Sequence, residues 1–395
     1  MTSTASTTPV GASPMPLDAS RLIIERTTNP QPVPSASDRL SSLGSRCTDH
    51  MITVKWNEQT GWSVPKLEAY GPLTLMPTAS VLHYATECFE GMKVYRGFDG
   101  KLRLFRPECN TERMLQSATR ISLPAFDPAE LQKLIVALLA VDGPKFLPNS
   151  EPGTYLYIRP TLIGTTETLN PQTPRDALLY IVASYFTIFP EDSATGLKLL
   201  ASEESMVRAW PGGFGFAKIG ANYGPAMLAQ RYAKEKGYQQ VLWLLGEDGQ
   251  VTEAGASNFF LVWRTRDGVV QIVTPPLDGK IILDGVTRRS VLDIAKEAVT
   301  LKEAGFGDIE VVEQKFTMQD LLEASQEDRL LEGFAVGTAF FIVPVDEIGY
   351  QDNVVTFPGE KGKDGEHSAF IKEKLRGIML GLSQHEWGFV IPEEY

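Results

Sequence analysis

Hydrophobic and polar positions alternate in several stretches of the chain. In GTYLYIRPTLIG, residues 153–164, Tyr155, Tyr157 and Arg159 fall on one side and Leu156 and Ile158 on the other, as side chains do along a strand. The same alternation predicts a strand over 51–56 (MITVKW), and the apolar run 177–186 (ALLYIVASYF) continues the sheet. Residues 93–96 and 102–105 read as two strands joined by a turn over 98–100, with a further turn at Gly91 before them. Met114, Ala118 and Ile121 recur at helical spacing, which predicts a helix opening near 107–110; LQKLIVALLAV places a second over 128–140.

In the C-terminal half, Pro225 suits the first turn of a helix that Gly237 ends. Residues 241–245 and 251–252 flank a GEDG turn as a hairpin. Strands are expected at 259–263, 269–274, 310–313 and 339–345, with helices starting after Gly285 and over 318–324. Strands and helices mix without strict βαβ order, so the fold class is α/β in the broad sense, α+β or mixed, rather than a barrel. The expected division is a flexible tail over 1–40, with Leu22–Ile24 able to dock as a short strand. A small α/β domain over 41–187, a linker over 188–197 and a larger domain over 198–395 follow.

At 395 residues the chain suffices for two cores. Its net charge of −12 argues against nucleic acid or an anionic membrane as partner. Cys47, Cys88 and Cys109 form no CxxC pair, and with four histidines they suggest a reducing compartment and no metal site. Residues 1–20 are mostly Ser, Thr, Pro and Ala without Lys or Arg, which points away from a transit peptide and toward the cytoplasm, with a mitochondrial location left open.

Candidate chemistry concentrates in one stretch. Lys218 stands among Phe214, Phe216 and Ile219, with glycines at 213, 215 and 220. Dry surroundings of that kind favour a neutral amine, the form that condenses with an aldehyde. The plain alternative is a lysine whose stem packs on apolar surface while its ammonium reaches water. Glu253, in VTEAGASNFF, is the acid that would accompany such an amine; alone it could equally be a solvated hairpin residue.

KIGANYG (218–224) followed by TEAGASN (252–258) resembles the branched-chain amino-acid aminotransferases, pyridoxal-phosphate enzymes of fold type IV. The likeness runs from about Thr48 to the C-terminus and includes YATECFEGMKVYRG and RLFRP. It implies a cofactor held covalently by Lys218, with Glu253 on its ring nitrogen and Tyr223 on its phenolic oxygen. Arg113 and the helix start at Gly285, Val286 and Thr287 would hold its phosphate, together with Thr338. The resemblance also implies substrate contacts from Tyr84, Phe89, Tyr157, Arg159, Ala256, Thr338 and Ala339. The implied reaction is ping-pong transamination between branched-chain L-amino acids and 2-oxoglutarate, with Lys218 as proton carrier, in a homodimer.

Some positions depart from the family pattern. Cys47 stands where an aromatic pocket residue is usual, Ala335-Val336-Gly337 replaces a Gly-Ser/Thr-Gly run, Ala221 replaces a glycine, and Phe340 to Val343 occupy the place of a redox CxxC. A wider wall at 47 and a narrower one at 336 would shift side-chain preference. D-amino-acid aminotransferase and aminodeoxychorismate lyase share the lysine and the acid but usually lack the two upstream segments. A silent binding protein of the same fold would have lost the lysine or the acid, and neither is missing.

Overall fold

The structure, a computed structural model, describes residues 13–42, 44–186, 196–297 and 305–393. Two sheets organise them. In the first, strands run in the order Ile23–Ile24, Lys66–Ala69, His50–Asn57, Asp176–Tyr185, Tyr155–Gly164, Met92–Arg96, Leu102–Phe105 and Gly388–Val390. In the second the order is Gln250–Ala254, Gln240–Leu245, Leu197–Ala201, Phe341–Tyr350, Leu330–Gly337, Ser257–Arg264, Val270–Thr274 and Ile309–Glu313.

The first sheet packs against helices Pro107–Arg120 and Pro128–Phe146. The longer helix starts where Asp127 caps it, its carboxylate accepting from Ala129 N at 2.9 Å, with Pro128 in the first turn where no N–H is missed. The second sheet is covered on both faces. Along Ser257–Arg264, Phe259, Leu261 and Trp263 join the core beneath helix Met318–Gln326, while Phe260 and Val262 join that beneath Val286–Lys296 and Glu366–Met379. A strand buried on both faces carries no polar alternation, which is why this segment reads as continuous FFLVW. Each fully buried side chain of this kind contributes roughly 1.5–3 kcal/mol relative to exposure.

Four expectations change. Gly91 does not reverse the chain: Glu87–Phe89 and Met92–Arg96 pair in one register along Tyr155–Gly164, Phe89 opposite Thr161 and Met92 opposite Ile158. The strand expected from Ala339 begins at Phe341 instead, and Leu330–Gly337 is an additional strand beside it. Of the tail expected over 1–40, the short strand foreseen near Leu22–Ile24 is present, Ile23–Ile24 pairing with Lys66–Leu67, but other described parts are docked or ordered too: Leu17 is buried and Ala36–Ser41 is helical. Apolar burial and sheet pairing there outweigh the Pro- and Ser-rich composition. The last strand, Gly388–Val390, returns to the first sheet beside Leu102–Phe105, so residues 198–395 do not all stay with the second sheet. Of the expected linker, residues 188–195 lie outside the described residues.

Candidate functional site

The Lys218 segment lies against the first sheet. Ile219 bridges Cys88, Phe89 N–H donates to Lys218 O at 3.0 Å, and Ala217 and Ile219 are buried in the first core. A 3-10 turn, Gly220–Asn222, then carries the chain to Tyr223. Lys218 Nζ donates to Tyr223 Oη at 3.2 Å and stands 5.2 Å from the centre of the Phe89 ring, which packs against Tyr223 at 5.0 Å. The amine is thus oriented by one phenol and walled by two rings. It lines a cavity of about 200 Å³ with most of the residues predicted for the site.

Helix Pro107–Arg120 carries a buried polar face beside this cavity, with Arg113 in its lining. Asn110, Arg113 and Ser117 fall at helical spacing and are all buried. Ser117 Oγ accepts from Lys218 N at 2.8 Å. Arg113 grips Glu90 in bidentate fashion, Nε to Oε1 at 2.7 Å and Nη2 to Oε2 at 2.8 Å. Its Nη1 donates to Asp284 O at 2.9 Å, next to the start of helix Val286–Lys296. Of five guanidinium N–H groups, three are used in this way and two are left for an anion. Glu90 also accepts from Asn110 Nδ2 at 2.9 Å. Burial works to raise the Glu90 carboxyl, but the charge and hydrogen bonds of Arg113, with help from Lys218 and Asn110, hold it below the ordinary carboxylate range.

Glu253 is the second buried carboxylate. Its Oε1 accepts from Leu283 N at 3.1 Å and Asn258 Nδ2 at 3.2 Å, and its Oε2 pairs with Arg208. Here burial pushes the carboxyl above its ordinary range, and Arg208, the Leu283 N–H and Lys218 oppose that without cancelling it. Asn258 Nδ2 also donates to Leu283 O at 2.8 Å, fastening the loop before the helix to the strand that carries Glu253's neighbours. That helix starts at Gly285 with no side-chain cap and no acidic residue in its first turn. Its first N–H groups therefore lack the usual capping partner at the positive end of the helix dipole.

Tyr157 and Arg159 share one face of their strand as predicted, and both line the cavity. Arg159 Nη2 donates to Tyr157 Oη at 3.2 Å and its guanidinium sits 4.6 Å from the Phe89 ring; its Nε is buried with no hydrogen-bond partner. Ala256, Val286, Thr287, Thr338 and Ala339 also line the space, as does Val336. Tyr84 does not: it is exposed, and its hydroxyl donates to Leu169 O. Cys47 is likewise away from the cavity, hydrogen-bonded to Tyr70, whose hydroxyl is pushed up to about 12. The wider wall expected from Cys47 is therefore not found at this cavity; Phe186 lines it, its ring 5.1 Å from that of Tyr157. Sequence reasoning also missed Glu90, Arg208 and Asn258. Glu90 and Asn258 stand inside the quoted motifs FEG and ASN, and their proximity to Phe89 and Glu253 was the available signal.

Two sheets that enclose an amine, two buried carboxylates and an uncapped helix start define the site of an amino-group transferase. The family Amino-transferase class IV matches residues 87–348, and the chain belongs to it. Its relatives over nearly the whole chain carry a narrower name. It is 43% identical to the mitochondrial branched-chain-amino-acid aminotransferase of Schizosaccharomyces pombe, over 93% of this chain and 84% of that one. The cytosolic enzyme of that name from Mus musculus is 44% identical over 89% of this chain and 88% of its own. Among solved structures, the branched-chain aminotransferase of Thermoproteus uzoniensis with norvaline superposes with a TM-score of 0.64 at 26% identity, covering 86% of this chain and 99% of that one. A T.th. branched-chain amino acid aminotransferase complexed with N-(5'-phosphopyridoxyl)-L-glutamate gives 0.60 at 25% identity, with 84% and 95% coverage.

Enzymes of this family depend on pyridoxal phosphate, and three observations in the cavity fit that group. The helix start lacks a side-chain cap where a phosphate would be held. A Cβ at Gly285 would lie 2.1 Å from Asn258 Oδ1, so only glycine lets the backbone approach so closely. A lysine amine and a carboxylate line the same cavity, matching the cofactor's aldehyde and its basic ring nitrogen.

Proposed function

We propose that this chain transfers the amino group between branched-chain L-amino acids and 2-oxoglutarate, giving branched-chain 2-oxo acids and L-glutamate. The observation that carries this reading is the Lys218 amine, 3.2 Å from Tyr223 Oη, in one cavity with Glu253 and the start of helix Val286–Lys296. When bound, pyridoxal phosphate supplies an aldehyde that takes up the amino group and a ring that accepts the electrons left when the α-proton departs.

Every other task falls to the protein. Lys218 would hold the cofactor through its aldehyde carbon and, with its amine free, would serve as the base that takes the substrate's α-proton and delivers it to that carbon. Tyr223, already donor-acceptor partner of that amine, orients it. Glu253 keeps the ring nitrogen protonated, an anion favouring the neighbouring cation. The two remaining N–H groups of Arg113 and the N–H groups of Val286 and Thr287 bind the phosphate, with Thr338 beside them. Thr338 and Ala339 bind the substrate carboxylate. Phe89, Tyr157 and Phe186 form apolar wall for a branched side chain, with Ala256 and Val336 completing it. Arg159 serves the second carboxylate of glutamate and 2-oxoglutarate, its unpartnered Nε being the group such an anion satisfies.

The working form in this reading is a homodimer. Met76, Leu82, Tyr84 and Leu169 are large and exposed, and pairing of two copies would cover such residues. Tyr84 would reach a substrate only across such an interface. The two relatives' names divide between mitochondrial and cytosolic; the cytoplasmic location proposed for this chain is tested by fractionation.

Borohydride reduction of the holoenzyme followed by peptide mapping tests the core of this proposal. A label on Lys218 is expected; a label elsewhere, or none, overturns it. Val336 narrows one wall, but Cys47 is not part of the other, so the specificity shift argued from both positions loses half its basis. Steady-state rates over Leu, Ile, Val, Met and Phe measure what remains: a plain Leu, Ile and Val profile means that Val336 causes no shift.

A further inference from the structure

A second cavity, of about 210 Å³, shares Tyr223, Glu253, Ala256 and Leu283 with the first, and Arg208, Asn222 and Trp243 are among its other lining residues. Arg208 is the one cation ion-paired with Glu253 among the described residues, and the two side chains are only 11% and 5% exposed. The nitrogen that meets Glu253, Nη2, also lies 3.1 Å from Ile281 O and 3.4 Å from Gly215 O. Nε of Arg208 is buried with no hydrogen-bond partner. A guanidinium placed for hydrogen bonding alone would satisfy that group; this one gives it up, and its charge-assisted contact is to Glu253.

We propose that Arg208 is a positioning residue for Glu253, holding that carboxylate ionised and in place so that the proton it shares with the cofactor's ring nitrogen stays on the nitrogen. The inference rests on the reading of Glu253 given above. Three donors surround the carboxylate: Leu283 N–H and Asn258 Nδ2 on Oε1, Arg208 on Oε2. Two are neutral, and burial favours the protonated acid. Lys218 cannot supply the missing charge permanently, because its amine is taken up in the reaction. Without Arg208 the proton passes from the ring nitrogen to a Glu253 oxygen. No charge leaves the pair, but the ring becomes a neutral pyridine and a poorer acceptor of electrons.

The test loads the holoenzyme with cofactor labelled with ¹⁵N in the ring and reads the nitrogen signal, beside kcat and the melting temperature of each variant. Arg208→Gln is expected to move the signal from the pyridinium toward the neutral position and to lower kcat by about 10–100-fold. Arg208→Lys is expected to recover most of the pyridinium signal. In a Glu253→Gln background the Arg208→Gln change should lower kcat by less than about threefold further, as for residues acting as one unit. A wild-type signal in Arg208→Gln, or full additivity with Glu253→Gln, overturns the inference. If Glu253→Gln itself leaves the signal unmoved, the assignment of Glu253 fails instead. Should Arg208→Gln not fold, Arg208→Met takes its place with the same expectations, and a wild-type signal in it overturns the proposal equally.

Discussion

Gly91→Ala is a small change that should reach the substrate side of the site without replacing any charged residue. A Cβ at Gly91 would lie 1.8 Å from Tyr157 Oη and 2.6 Å from Cζ. Normal contact is roughly 3.5 Å, so the phenol must retreat by about 1.7 Å. It has little room, because its ring packs on Phe186 at 5.1 Å and the residue is 8% exposed. The hydroxyl also accepts from Arg159 Nη2 at 3.2 Å, so the retreat releases Arg159 as well. Overpacking of this kind costs about 1–3 kcal/mol of stability. A 1 Å misplacement of a positioning group can cost on the order of 100-fold in rate. Denaturant unfolding and steady-state kinetics with leucine and 2-oxoglutarate should therefore show a modest stability loss beside a kcat/KM loss of about 10–100-fold. Adding Tyr157→Phe removes the closest clash, so the double variant should regain stability without regaining full use of 2-oxoglutarate. Wild-type kinetics in Gly91→Ala would refute the claim that Tyr157 is held against this glycine.

Other outcomes follow from the same geometry. Glu90→Gln leaves buried Arg113 without its counter-charge and should cost about 3 kcal/mol, read from the denaturation midpoint; a loss under about 0.5 kcal/mol would contradict the pairing. Because Glu90 is held below its ordinary value, the stability it contributes is fully present above the unfolded carboxyl's range and is lost as pH falls through the folded value. The acid limb of the wild-type stability profile, below about pH 4.5, should flatten in Glu90→Gln. Arg159→Met should raise KM for 2-oxoglutarate at least about 10-fold while changing that for leucine by less than about threefold; equal effects on both would show that Arg159 does not read the second carboxylate. Gly285→Ala drives Asn258 away from Glu253 and Leu283 and should weaken cofactor retention on dialysis about 10-fold or more.

Elements with a clear period were legible from the residues. The strand Tyr155–Gly164 and the helix Pro107–Arg120 stand where alternation and 3.6-residue spacing put them. Leu330–Gly337 was not legible, because it is buried among neighbours on both sides and Glu332 and Gly333 interrupt its apolar run. Glu332 is itself buried there, accepting from the N–H groups of His367 and Ser368 at the start of helix Glu366–Met379. A pattern that counts polar residues as outward misreads such a position. Gly91 misled for a related reason: glycine commonly marks a reversal, but here it makes space for the Tyr157 hydroxyl. In the site, the apolar stripe Met114 and Ala118 was seen, yet the buried polar stripe Asn110, Arg113 and Ser117 on the same helix carries the contacts to Glu90 and Lys218. Local sequence says that such residues are polar, not that tertiary partners wait for them.

Those partners also explain how one cavity holds so much charge. Burying a lone carboxylate costs several kcal/mol even after relaxation, and this site buries two. Each has its own arginine: Arg113 grips Glu90 at both oxygens, and Arg208 meets Glu253 at one. The first pair is closed, so Glu90 stays an anion and Arg113 is fixed with two N–H groups to spare. The second is half open: burial still pulls Glu253 toward its neutral form, and only one of its oxygens meets a cation. A carboxylate in that condition gains most from a further positive partner, and a protonated ring nitrogen is such a partner. In the function proposed for this chain, unequal pairing of two similar acids therefore separates their work, one to brace the phosphate end of the site and the other to receive the ring.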